Sequence, residues 1–122
     1  NSEEFLQSLN LPYQVLKIAT GDMGPGKYKM CDIETYMPSR AKYCETHSCS
    51  SLLDWQARRS NIKYKTKDGK KEFVHTLNNT LVATPRILIP VLELNQQKDG
   101  SIRVLKALQQ YCGFDMINAE KV

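Results

Sequence analysis

From Thr76 to Leu92 the sequence reads TLNNTLVATPRILIPVL, and Arg86 is its only charged side chain. A guanidinium near the start of an apolar helix cannot be buried bare, because losing its hydration costs several kcal/mol unless it is paired. It also sits at the positive end of the helix dipole, where a cation is slightly disfavoured. Both facts suggest that an anion visits this place. Two sources stand open: an internal carboxylate such as Asp32, Glu34 or Glu45, or an anionic ligand such as phosphate, which the planar bidentate donors of arginine suit.

A second constellation is Cys44-Glu45-Thr46-His47-Ser48-Cys49. Cys-x2-His-x-Cys suggests zinc, but on a regular strand Cys44 and His47 point to opposite faces, and no other cysteine pair completes a site. Ordinary buried thiols are the simpler reading. Glu45 and Ser48 offer hard oxygen donors suited to Mg²⁺, which usually also binds substrate phosphates. Strict alternation separates these two as well, so joint ligation requires a bulge or strand end near Thr46-His47. Asn78-Asn79-Thr80 reads either as a plain turn or as a rim of hydrogen-bonding groups for a small polar ligand. Gly26-Lys27 is no phosphate loop, since it lacks the upstream glycine and the following Ser or Thr.

These residues need a scaffold. Ser2, Glu3 and Glu4 start a helix with Phe5, Leu6 and Leu9 on one side, closed by Leu11-Pro12. Residues 13–20 read as a largely buried strand, and 21–26 as a loop. In 30–37, Cys31, Ile33, Thr35 and Met37 share one face while Asp32 and Glu34 share the other. A turn at 38–40 leads to a strand over 42–50 and a short helix around 51–58. Residues 61–65 and 72–77 form a hairpin about the turn at 67–70. A buried helix follows over 86–96, with Thr84 as cap, Pro85 in its first turn and Pro90 as a kink or shifted start. After a polar turn, 102–111 form a smaller helix that Gly113 stops. The pattern is α+β with a mainly antiparallel sheet, without internal repeat or low-complexity tract.

The 122 residues suit one domain or a piece of a larger one, and 41% hydrophobic with 25% charged residues is ordinary for a soluble globular chain. A net charge of +4 is compatible with a nucleic-acid partner and does not establish one. No apolar run approaches the ~20 residues of a membrane span. The segment NSEEFLQSLN is acidic and amphipathic, unlike a signal or transit peptide. Four cysteines without a CxxC favour a reduced, intracellular compartment.

In order, LPYQVLKIATGDMG, CDIETYMP, ETHSCSSLLDWQARRSNIKYK and EFVHTLNNTLVATPRILIPVLELNQQKDGS resemble seryl-tRNA synthetase, a class II aminoacyl-tRNA synthetase, over nearly the whole chain. The run SCS…DWQARR, then HTLN, then an arginine in an apolar helix is the most specific part. The flavour of YMPSR, TPRILI and NQQKDG is nearer the mitochondrial-type enzymes. The resemblance implies the C-terminal portion of the catalytic domain across residues 1–122, with motif 3 present on a buried helix. Motifs 1 and 2 and the tRNA-binding arm are then absent, so the chain alone is expected to be inactive. Arg86 matches the motif 3 arginine that contacts ATP phosphate. Glu45 and Ser48 match the pair holding ATP-bound Mg²⁺, with Thr46 and His47 in the same nucleotide-binding strand. Asn78 and Thr80 match positions near the serine substrate. Expected partners are serine, ATP and tRNA(Ser), in a homodimer formed through motif 1, with a mitochondrial location ahead of a cytosolic one and no membrane. His47, Cys44 and Pro90 depart from the family's usual residues without removing a matched ligand. A non-catalytic paralogue is the alternative reading. A free-standing RNA-binding module is a third, and it requires exposed aromatics on a basic face, whereas Tyr36, Tyr43 and Trp55 lie in segments that look packed.

Overall fold

The computed structural model describes residues 1–119. In chain order the elements are α1 (Ser2–Ser8), β1 (Tyr13–Lys17), β2 (Lys29–Met37), β3 (Lys42–Leu53), α2 (Trp55–Ser60), β4 (Lys63–Lys65), β5 (Lys71–Phe73), β6 (Thr76–Asn79), α3 (Thr84–Glu93), β7 (Ile102–Arg103), α4 (Lys106–Cys112) and β8 (Met116–Ile117). One sheet has the order β1-β2-β3-β6, and β4-β5 and β7-β8 form two-stranded ribbons. The β3–β6, β4–β5 and β7–β8 pairs are antiparallel. The α+β reading holds.

The chain divides into two compact units, Asn1–Gln14 with Ile33–His47 and Leu81 onward, and Val15–Asp32 with Ser48–Thr80. In the first, Leu6, Leu9, Leu11, Ile33 and Ile87 form the core, with Phe5, Tyr13, Val91 and Leu105 packed against it. Helix α1 delivers Leu6 and Leu9 because they lie three apart, on neighbouring positions of one face. Along β2 the expected alternation is present, with Ile33, Thr35 and Met37 buried and Glu34 and Tyr36 partly exposed.

In the second unit β3 pairs with β6 so that Ser50 faces Asn78 and Cys49 faces Asn79, and the register shifts between Ser51 and Leu53. Helix α2 ends at Asn61 in a left-handed conformation. Gly26 has φ +80° and its backbone runs against the Trp55 indole, leaving no room for a side chain.

Several expectations are corrected. β1 stops at Lys17 and is mostly exposed rather than buried. The segment 72–77 is two strands, because β6 leaves the hairpin to pair with β3. The short helix is Trp55–Ser60 rather than 51–58, since β3 runs on to Leu53. Helix α3 begins at Thr84 after an Ala83 cap without a side-chain hydrogen bond, and continues through Pro90 to Glu93. Only Ile87 and Pro90 of this helix are buried, while Leu88 and Leu92 are exposed. Its apolar surface exceeds what the described residues of this chain cover. The helix placed at 102–111 starts at Lys106, because Ile102 and Arg103 are taken up by pairing with Ile117 and Met116. Gly113 does terminate it, at φ 77°.

Candidate functional site

Arg86 occupies the first turn of α3, where Pro85 presets the backbone and the Arg86 amide donates to the Ala83 carbonyl at 2.9 Å. Glu45 projects from the outer side of β3. Arg86 Nη1 and Glu45 Oε2 meet at 3.0 Å, with side-chain exposures of 55% and 42%. Of the carboxylates offered by the sequence, Glu45 is the partner, while Glu34 instead accepts from Gln14 Nε2 at 2.7 Å. Around the pair lies a cleft of about 300 Å³ lined by Met37, Arg40, Cys44, Glu45, Arg86 and Ile89. Its single carboxylate faces two guanidiniums, so the cleft is set up for an anion.

Arg40 is a site residue that sequence reasoning missed. It ends the Pro38–Arg40 turn, whose geometry is closed by Ala41 at φ 49°. The neighbouring Ser39 amide donates to Glu93 Oε2 at 3.0 Å, tying the turn to α3. That hydrogen bond, aided by the Arg40 charge, holds the Glu93 carboxyl below its ordinary value. A basic residue in a turn beside two candidate ligands was the only available signal.

Behind Glu45, Thr46 and His47 are both buried, at 0% and 2% exposure. Two successive buried residues break the in-out alternation of β3 where the sequence reading required an irregularity. Thr46 Oγ1 lies 2.7 Å from Thr35 Oγ1, 3.3 Å from the Ile33 carbonyl and 2.8 Å from His47 Nδ1. Phe5 packs against the imidazole at 6.3 Å between centroids. Burial pushes the His47 pKa below 6.5, with the Leu81 backbone acting in the opposite sense, yet Nε2 meets no acceptor at hydrogen-bond geometry. These two side chains therefore brace the strand from inside, and what they leave to solvent is the strand carrying Glu45.

The second unit holds Ser48, Asn78 and Thr80. The Thr80 amide donates to the Ser48 carbonyl at 3.1 Å, extending the β3–β6 pairing by one rung. Asn78 and Thr80 are exposed and Ser48 is partly so. Asn78 lies in β6 and Thr80 just beyond its end. The four cysteines are free thiols, but not buried ones as expected: Cys31 and Cys44 are half-buried and Cys49 and Cys112 exposed. Among the described residues no three His, Cys, Asp or Glu side chains converge on a metal position.

Residues 1–95 match the family described as tRNA synthetase class II core domain (G, H, P, S and T). The chain belongs to this class II synthetase core family. Within it, the sequence is 58% identical to the serine–tRNA ligase of Deinococcus radiodurans over 113 residues, 93% of this chain and 27% of that protein. The seryl-tRNA synthetase of Pyrococcus horikoshii, solved complexed with ATP, superposes with a TM-score of 0.93 at 44% identity, covering 98% of this chain and 27% of that one. The cytoplasmic serine–tRNA ligase of Naegleria fowleri, in complex with AMP, gives a TM-score of 0.90 at 38% identity, covering 98% and 29%. This class II synthetase chain is thus a homologue of serine–tRNA ligases that corresponds to part of their catalytic core, and it spans about a quarter of the length of the relatives it matches. These relatives lend no support to a mitochondrial type.

Proposed function

We propose that this chain supplies part of the ATP and serine sites of a serine–tRNA ligase. The observation that carries the reading is the exposed Arg86–Glu45 pair in an arginine-rich cleft, in a chain similar to enzymes solved with ATP and AMP. Arg86 binds ATP phosphate, and Glu45 presets the guanidinium until the nucleotide arrives. In the reaction, the serine carboxylate attacks the α-phosphorus in line and pyrophosphate leaves. The resulting seryl-adenylate then passes its acyl group to a ribose hydroxyl of the terminal adenosine of tRNA(Ser), and AMP leaves. No covalent intermediate with the protein is required, so the residues act by positioning and charge neutralisation.

Thr46 and His47 belong to the nucleotide-binding strand and act by holding its backbone. Asn78 and Thr80 present an amide and a hydroxyl to the serine substrate. Mg²⁺, when bound, would neutralise phosphate charge, and Glu45 and Ser48 are the residues that would hold it. Glu45 fits this role because it is exposed and its carboxylate is a hard donor. The complete protein acts inside the cell as a homodimer through a segment outside this chain. The 122 residues alone are expected to show no serine-dependent ATP–pyrophosphate exchange.

The test is that exchange reaction in the complete protein. Arg86→Ala should abolish it while the fold is retained. Absence of exchange in the unmutated protein would favour a non-catalytic paralogue instead.

A further inference from the structure

The β4–β5 ribbon carries a charge distribution that the ATP and serine sites do not use. Residues 58–73 contain seven cations, Arg58, Arg59, Lys63, Lys65, Lys67, Lys70 and Lys71, against two carboxylates, Asp68 and Glu72. Their net of +5 exceeds the +4 of the whole chain, so the remaining residues net −1.

The register concentrates this charge further. Lys65 stands directly opposite Lys71, and Lys63 opposite Phe73. Residues opposite one another share a face, as do residues two apart on one strand, so Lys63, Lys65 and Lys71 lie on one side of the ribbon. Like charges facing each other across an antiparallel pair oppose its formation. Glu72 does not relieve them: it pairs with Tyr64 on the opposite side, accepting from the Tyr64 hydroxyl at 2.8 Å. Among the described residues, none of the three lysines has a carboxylate within ion-pair distance. Arg58 does, through Asp54 at 2.7 Å. Lys63, Lys65, Lys71, Asn61 and Tyr64 line a shallow groove of about 340 Å³.

We propose that this lysine face of the β4–β5 ribbon docks the phosphate backbone of RNA. The inference rests on the serine–tRNA ligase reading, which supplies a polyanion as partner. Phe73 is covered by Arg58 and Lys63, with the cations 4.8 and 4.6 Å from its ring centre, so it is neither a stacking platform for bases nor an apolar wedge for a membrane. What remains is a row of point charges. Such a row binds phosphate without reading sequence, through release of counterions.

The experiment is an RNA titration of the complete protein at several salt concentrations, with a tRNA(Ser) transcript and an unrelated RNA duplex. The triple variant K63Q/K65Q/K71Q should lower the slope of log affinity against log salt by about two to three for both RNAs. K63R/K65R/K71R should restore it. Serine-dependent ATP–pyrophosphate exchange should stay unchanged in both variants. That readout needs no RNA, so a failure of the ligase reading shows separately. If the glutamine triple does not fold, K65Q alone should lower the slope by about one. An unchanged slope would overturn the proposal. So would an equal drop in the control variant K98Q/R103Q/K106Q, or aggregation of K63Q/K65Q/K71Q with RNA affinity intact, which would mark the lysines as guards of an exposed strand edge. Loss of binding to anionic lipid vesicles with RNA affinity retained would assign the face to a membrane.

Discussion

Arg86 and Glu45 form an ion pair at 3.0 Å that is roughly half open to solvent on both sides. A pair so exposed contributes about 0–1 kcal/mol to stability. Arg86→Ala and Glu45→Gln should each shift urea unfolding by no more than about 1 kcal/mol. In the complete protein the arginine variant should lose ATP–pyrophosphate exchange by at least about a hundredfold. A large stability loss with exchange intact would make the pair a structural strut.

Thr35 and Thr46 share a hydroxyl contact at 2.7 Å with both residues fully buried. Thr46→Val strands Thr35 Oγ1 and His47 Nδ1 together, at about 1–3 kcal/mol. Replacing both threonines by valine removes donor and acceptor at once and should cost less than the sum of the single changes. Denaturant melts of the four proteins measure the coupling, and strict additivity would show that the contact is not energetically linked.

His47 sets a pH dependence. Burial lowers its folded pKa below 6.5, so in acid the unfolded chain takes up the proton first. Stability should hold above that value and fall as pH drops from 6.5 toward the lowered pKa. Asp54, Glu93 and Asp99 also have lowered pKa values, so their contribution is lost only below the ordinary carboxylate range of 3.8 to 4.5. His47→Gln should therefore flatten the stability profile just below about pH 6.5 and leave the acid limb in place. An unchanged slope in that window would mean that the ring already finds a proton acceptor.

Gly26 combines φ +80° with contact against the Trp55 ring. Gly26→Ala should destabilise by about 2–4 kcal/mol, from left-handed strain and steric overlap together. Gly21→Ala is the control, since nothing lies within 4 Å of the added carbon, and it should stay within about 0.5 kcal/mol. Trp55 fluorescence during unfolding reports both.

The sequence made some features plain for local reasons. The lone arginine in an apolar run points to a carboxylate partner, and Glu45 is that partner, although Arg86 proves half open to solvent rather than buried; Leu6 and Leu9 mark one face of a helix through spacing alone. Other features depend on distant residues. Nothing in EFVHTL says that Thr76–Asn79 will abandon the hairpin for β3, because alternation fixes a face and not a partner. Ile102-Arg103 looked helical beside IRVLKALQQY until Met116-Ile117 claimed it as a strand. Val15 and Leu16 looked buried, yet β1 stands at the end of the strand order and both are exposed. Arg40 escaped notice because only the folded turn brings it beside Glu45 and Arg86.

Pro90 sits four residues beyond Arg86, inside α3 and fully buried. Proline has no amide hydrogen, so the Arg86 carbonyl loses the helical rung that residue 90 would ordinarily provide. The peptide carrying the guanidinium is thereby loosened from the rod behind it while Ala83 still grips it from the front. Under the proposed ATP-site reading, a side chain that leaves Glu45 for a nucleotide gains its play at that carbonyl.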